Sequence, residues 1–302
     1  MKRHLLVVPA FPGRRAQDTG WLLALFFAGS LAQAAEPSAP DKRGFHLFKP
    51  VPDEWLRDLS TDRPDRTESP FTVDPGRVQL EMDVLNYSHD RHNPARTDEH
   101  VETVAIAPLN LKLGLWHNVD VQFIVEPHLS VRTRDRTTGT IQKQRGFGDL
   151  TVRSKINLWG NDGGPTALAV MPWVKLPTNQ DNVGNDAVEG GLIVPLAISL
   201  PGEVGLGLMT EVDLVRDGAG RGHHAEFINT VTLARAIAGK LGGYVEFFSL
   251  VSAESKSRWV GTVDFGFTYA LTDNVQLDAG VNLGVTRSAD DVNPFFGVSW
   301  RF

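Results

Sequence analysis

Carboxylates recur at alternate positions within otherwise apolar stretches of this chain: Glu81 and Asp83, Glu211 and Asp213, Asp264, Asp278. A carboxylate can move a proton, hold a cation or screen solutes by charge, and its surroundings decide which. Histidines near hydroxyls offer a second chemistry. The stretch YSHDRHN holds Ser88 with His89 and His92, and His223 and His224 are adjacent. Hydrolysis by a Ser–His pair needs a third group in fixed geometry, which the local sequence does not supply. Neither His pair has the spacing of a metal site, and the chain contains no cysteine. GAGRG at 218–222 precedes a strand pattern instead of the helix that a phosphate cradle requires. The residues therefore predict no enzyme, no metal and no cofactor.

The elements that must position the carboxylates are strands. From Arg77 to Phe302 the hydropathy alternates with period two, over approximately 77–88, 99–115, 119–134, 145–159, 165–176, 187–200, 204–216, 223–237, 240–252, 258–271, 275–286 and 292–302. The connections alternate between short turns (HN, GNDGG, PGE, AG, TDN) and longer polar loops. Many strands exceed the ~5–6 residues usual in globular sheets and reach the ~9–11 that cross a bilayer at a tilt. Tyr269, Trp300 and Phe302 collect at the short-turn ends and Trp259 at the long-loop ends, where interfacial aromatic girdles sit. The expected fold is all-β, an antiparallel up-and-down transmembrane β-barrel of about 12 strands. Pro108, Pro127, Pro172 and Pro195 fall inside these strands, so bulges or ladder breaks are expected there.

In that barrel the polar parity faces the lumen. It carries the acids Glu81, Asp83, Glu102, Asp120, Glu126, Asp149, Glu189, Glu211, Asp213, Glu226, Glu246, Asp264 and Asp278, against the bases Lys112, Arg153, Lys155, Lys175, Arg258 and Arg301. Two readings fit this excess. One is a pore favouring cations or neutral solutes; the other is an ion-pair network that fills a narrow barrel.

The N-terminal region reads differently. Lys2, Arg3, Arg14 and Arg15 precede the apolar run Trp21–Ala32, and Ala32-Gln33-Ala34 supplies small residues for cleavage. Residues 1–34 are expected to be a cleaved signal peptide, although the long stretch before the apolar run leaves open a start downstream of Met1. Cleavage removes four bases and one acid, so the net charge moves from −6 to −9. That balance argues against a nucleic-acid partner. Residues 35–76 form a periplasmic segment rich in Pro, Asp and Arg. Asp62, Arg63, Asp65, Arg66 and Glu68 alternate in sign around Pro64 and Pro70. They suit either a plug that pairs with lumen charges or a solvated leader.

Two motifs carry a family resemblance. TDRPDRTESPFTVDPGRVQLE (Thr61–Glu81) and GFGDLTVRSKINLWG (Gly146–Gly160) resemble the outer-membrane transporters labelled MetA-pathway of phenol degradation. The resemblance implies a bacterial outer-membrane, porin-like barrel for small organic solutes, including aromatic or hydrophobic ones. It brings no functional residues with it. The alternatives are a barrel-borne lipid hydrolase and a structural barrel with a blocked lumen. Phe296, Val298, Trp300 and Phe302 end the chain as an alternating aromatic strand facing lipid. That strand resembles the C-terminal signal read by the barrel-assembly machinery, the second expected partner besides outer-membrane lipid.

Overall fold

The computed structural model describes residues 40–93, 98–218 and 222–302. The expected signal peptide, 1–34, and the glycine-rich loop residues 219–221 lie outside the described residues. Fifteen strands follow a single 3-10 turn at Asp53–Trp55: β1 (Val78–Asp90), β2 (Glu99–Ile106), β3 (Leu109–Trp116), β4 (Val119–Val125), β5 (His128–Asp135), β6 (Ile141–Gly146), β7 (Leu150–Trp159), β8 (Thr166–Leu176), β9 (Glu189–Leu200), β10 (Val204–Arg216), β11 (His223–Ala238), β12 (Leu241–Ser252), β13 (Val260–Thr272), β14 (Val275–Gly284) and β15 (Val292–Arg301). They make twelve staves, because β2 with β3, β4 with β5, and β6 with β7 each form one broken stave. All neighbours are antiparallel, and β15 pairs with β1 from Arg301↔Gln79 to Val292↔His89, so the sheet closes. The C-terminal strand is this seam. Phe302 and Val78 exchange both backbone hydrogen bonds, at 2.9 and 3.0 Å.

The prolines lie where the ladders stop. Pro108 and Pro127 separate the halves of two staves. The β7–β8 ladder skips from Arg153↔Trp173 to Ile156↔Val170 beside Pro172. The β8–β9 ladder skips from Leu168↔Leu196 to Met171↔Ile193 beside Pro195. A proline cannot donate to a ladder, so each break falls where a donor is missing.

The faces are inverted relative to a water-soluble sandwich. Asp120, Gln122, Asp264 and Ser299 are fully buried, whereas Phe267, Tyr269, Phe227, Trp159 and Trp300 are about half exposed. Apolar side chains cover most of the outside of the staves and polar ones fill most of the inside. Such an exterior is stable only against hydrocarbon. The barrel spans a membrane, and closed barrels of this type belong to the bacterial outer membrane.

One sequence expectation fails. Glu102 does not face the lumen. A bulge between Asp83 and Leu85, together with Ala107 at a φ of 56° and Pro108, reverses the parity of the outer half of this stave. Glu102 stands opposite His89 and Arg132 and shares the face of exposed Ile106. Unbroken alternation from Lys112 to Glu102 cannot register such a reversal.

Candidate functional site

The lumen is occupied by the chain's own N-terminal segment. Apart from the Gly76 amide, which donates to the Gly114 carbonyl of β3 at 2.9 Å, residues 58–76 pair with no strand, so their backbone N–H groups must be satisfied elsewhere. Lumen carboxylates supply the acceptors. The amides of Arg66 and Thr67 donate to Glu246 at 2.8 Å each, that of Val73 to Asp120 at 3.0 Å, and that of Asp62 to Glu81 at 3.1 Å. Part of the acidic excess is thereby explained: these carboxylates take the place of a partner strand.

Side chains lock the segment further. Asp62 pairs with Lys155 at 2.5 Å, with Arg153 at 3.4 Å and with Lys112, which also meets Glu81. Glu68 takes Arg153 through two oxygens, at 2.5 and 3.0 Å. Arg63 bridges Asp83 and Asp278, each at 2.6 Å. Arg66 stacks over the Phe248 ring, 4.4 Å from its centroid, and points towards Asp264 at 3.7 Å. Thr67 Oγ1 lies within 2.7 Å of the Thr230 and Thr232 hydroxyls. Phe71 packs with Ala167 and Ala197. Space is made by small residues: a Cβ on Gly297 would collide with the Arg63 guanidinium, and one on Gly114 with the Asp74 carbonyl. Asp65 is buried, as Asp62 is, whereas Arg63, Arg66 and Glu68 keep partial exposure.

At the periplasmic end the segment is tied to a turn. Arg57 donates to Asp162 at 2.8 Å, and Lys42 stands 3.1 Å from both Asp74 and Asp162. Burial alone would raise the Asp162 carboxyl, but the hydrogen bond and charge of Arg57, with Lys42, outweigh it and hold that carboxyl below its ordinary value. Arg301 of the last stave donates to the Arg57 carbonyl at 2.7 Å and to Asn274. A cavity of about 320 Å³ opens here between Trp55, Phe71 and Asn161.

Beyond the segment, towards the long loops, the lumen changes character. Met171, Ile193 and Met209 form a buried apolar patch with Trp173 and Ile228 against it. The Trp173 indole donates to Asp213 at 3.1 Å. Glu211 and Asp213 share this inward face of β10, and no described lysine or arginine forms an ion pair with either. Higher still, Lys175 pairs with Glu189 at 2.5 Å and approaches Asp149 at 3.5 Å. Asp149 also accepts from the amides of Thr178 and Asn179, which ties the start of the 177–188 loop to the residues before β7, and Glu126 lies against Gly148 nearby.

The hydrolase constellation is not assembled. Ser88 hydrogen-bonds Asp290 on the inward side, while neighbouring His89 projects outward to Tyr87 and His100. His92 pairs instead with Asp291 at 3.0 Å. His223 reaches the Val188 carbonyl, and His224 reaches Asp217 and Glu226. Among the described residues, two groups bring metal-type ligand atoms within 4.8 Å of one another, His89/His100/Glu102 and Asp217/His224/Glu254. Each takes one histidine from the stretches noted in the sequence, His89 and His224, and joins it to residues distant in the chain.

Residues 61–302 match the family described as "Putative MetA-pathway of phenol degradation". The chain belongs to this family. No curated protein matches it by sequence. Among solved structures it is similar to an outer membrane channel from Pseudomonas putida, with 12% identity and a TM-score of 0.56, over 80% of this chain and 100% of that one. It is also similar to the NanC porin, with 10% identity and a TM-score of 0.49, over 72% of this chain and 98% of that one. The transport unit of the autotransporter AIDA-I from Escherichia coli matches with 12% identity and a TM-score of 0.49, over 83% and 94%. At these identities the Pseudomonas putida likeness shows the barrel fold.

Proposed function

We propose that this family member is a passive outer-membrane channel for small organic solutes, gated by its own N-terminal segment. The observation that carries the reading is how the segment is held. Ion pairs and hydrogen bonds to lumen side chains fix it, with Phe71 packed on Ala167 and Ala197 and no β-ladder to the wall. A polar, unladdered segment can leave a lumen without breaking the wall, which a barrel serving only as scaffold does not require. The apolar patch around Met171, Trp173 and Met209, set beside Glu211 and Asp213, supports solutes with a hydrophobic or aromatic body and disfavours anions. The family description, with its reference to phenol degradation, supports the same solute class.

Liposome swelling with graded sugars and small aromatics tests the channel; absence of permeation by every solute, with and without residues 36–70, counts against it. Planar-bilayer recording of the chain lacking 36–70 tests the gate, with conductance expected to rise. An unchanged conductance removes the gate from the proposal.

A further inference from the structure

The outward face of β5 and β6 is unlike the rest of the barrel exterior. Staves three and four present Val121, Phe123 and Val125, and Leu158, Ile156, Val152 and Leu150, to lipid along their inner lengths. Past the breaks at Pro127 and Phe147 the same outward side carries Arg132 and Arg134 on β5, with Lys143 and Arg145 on β6. The face is fixed by register: Ile106, exposed to the exterior, pairs with His128, so Ser130, Arg132 and Arg134 follow on that side. Arg132 then stands directly opposite Lys143, and Ser130 opposite Arg145.

Like charges placed directly across a ladder are destabilising unless something of opposite sign lies over them. The chain supplies one such group, Glu102, whose carboxylate takes Arg132 at 2.6 Å. Among the described residues no carboxylate forms an ion pair with Arg134, Lys143 or Arg145. Four bases are therefore concentrated on two short strands of an otherwise acidic protein. They sit at the level where the apolar belt ends and the long loops begin, which is the headgroup region of the outer leaflet.

We infer that this strip binds the phosphate groups of lipid headgroups in the outer leaflet. Arginine's fork suits phosphate oxygens, Lys143 adds a point charge, and the apolar belt beneath holds the acyl chains. The inference rests on the membrane-spanning fold and is independent of whether the lumen conducts.

The test uses the full chain folded in detergent. It is incubated with a diphosphorylated glycolipid of the lipid A type, or with the same glycolipid stripped of phosphate, and bound lipid is counted by native mass spectrometry. The phosphorylated lipid is expected to bind more tightly, with an affinity that falls as salt rises. The triple variant Arg134→Gln/Lys143→Gln/Arg145→Gln is expected to bind it roughly a hundredfold more weakly, from the typical contribution of three basic residues near an anionic surface. Heat-modified gel mobility verifies that the variant is folded. If it does not fold, the comparison of the two lipids on the unmodified chain still decides. Equal binding of the two glycolipids overturns the inference. So does a folded triple variant that binds normally but self-associates, for then the charges serve only to keep the β6 edge from pairing with another sheet.

Discussion

Arg63 and Asp278 are 215 positions apart in the chain, yet their side chains meet at 2.6 Å inside the barrel. The same guanidinium reaches Asp83, so one residue ties the N-terminal segment to β1 and β14 together. Arg63→Ala leaves two buried carboxylates without their cation, a loss of about 3–5 kcal/mol in comparable pairs. Limited proteolysis is expected to cut within 58–76 much faster in this variant while the barrel stays resistant. Equal cutting rates would mean that the pair does not hold the segment.

The absence of native cysteines allows a clean lock. Thr67 Oγ1 and Thr230 Oγ1 are 2.6 Å apart, and Thr67→Cys with Thr230→Cys is expected to form a disulfide between segment and wall. Oxidised channels should stay at basal conductance under conditions that open the unmodified protein, and a reductant should restore opening. Opening in the oxidised form would show that solutes bypass a seated segment.

Acid should loosen the periplasmic tether. The Asp162 carboxyl is held below its ordinary value, so its pairing with Arg57 and Lys42 contributes stability that is present above the unfolded value, about pH 4, and is lost as pH falls further. Conductance is expected to rise as the periplasmic-side pH is lowered through that range. Asp162→Asn should raise conductance at neutral pH and flatten this part of the profile. A variant with an unchanged profile would place the acid response elsewhere.

The last strand makes a separate prediction. Trp300 and Phe302 stack edge to face, 4.9 Å between centroids, at the lipid-facing end of the seam. Phe302→Ala is expected to lower the amount of folded barrel recovered from outer membranes several-fold, while the same variant refolds normally in detergent. Loss of refolding in detergent as well would make Phe302 a packing residue and remove its role as an assembly signal.

Strand number and the two-faced parity are legible in the sequence because period-two alternation and turn spacing record them, and strand length with aromatic strand ends points the apolar face to lipid. Asp278 and Arg153 are readable as lumen residues for the same reason. The partners of these residues are not readable, since an ion pair spanning 215 positions leaves no local trace. The role of Glu246 is hidden for another reason: it serves two backbone amides, and backbone groups have no sequence signature. Parity counting puts Glu102 on the wrong face because it assumes an unbroken strand, and the irregularity at Ala107–Pro108 shifts the parity by one residue.

The seam between β1 and β15 bears on how the molecule is made. The segment inside the barrel leads straight into the first stave, while Arg63 and Thr61 take partners from β14, the stave next to the last. Those partners lie beside the seam that closes the ring. The segment therefore finds its full set of partners only when the wall is fastened around it. A barrel that closed early would have to admit a charged strand through its mouth, and one that closed on an empty lumen would leave Asp278 and Asp83 facing each other without a cation. Ring closure and cord capture become a single event, completed when Phe302 meets Val78.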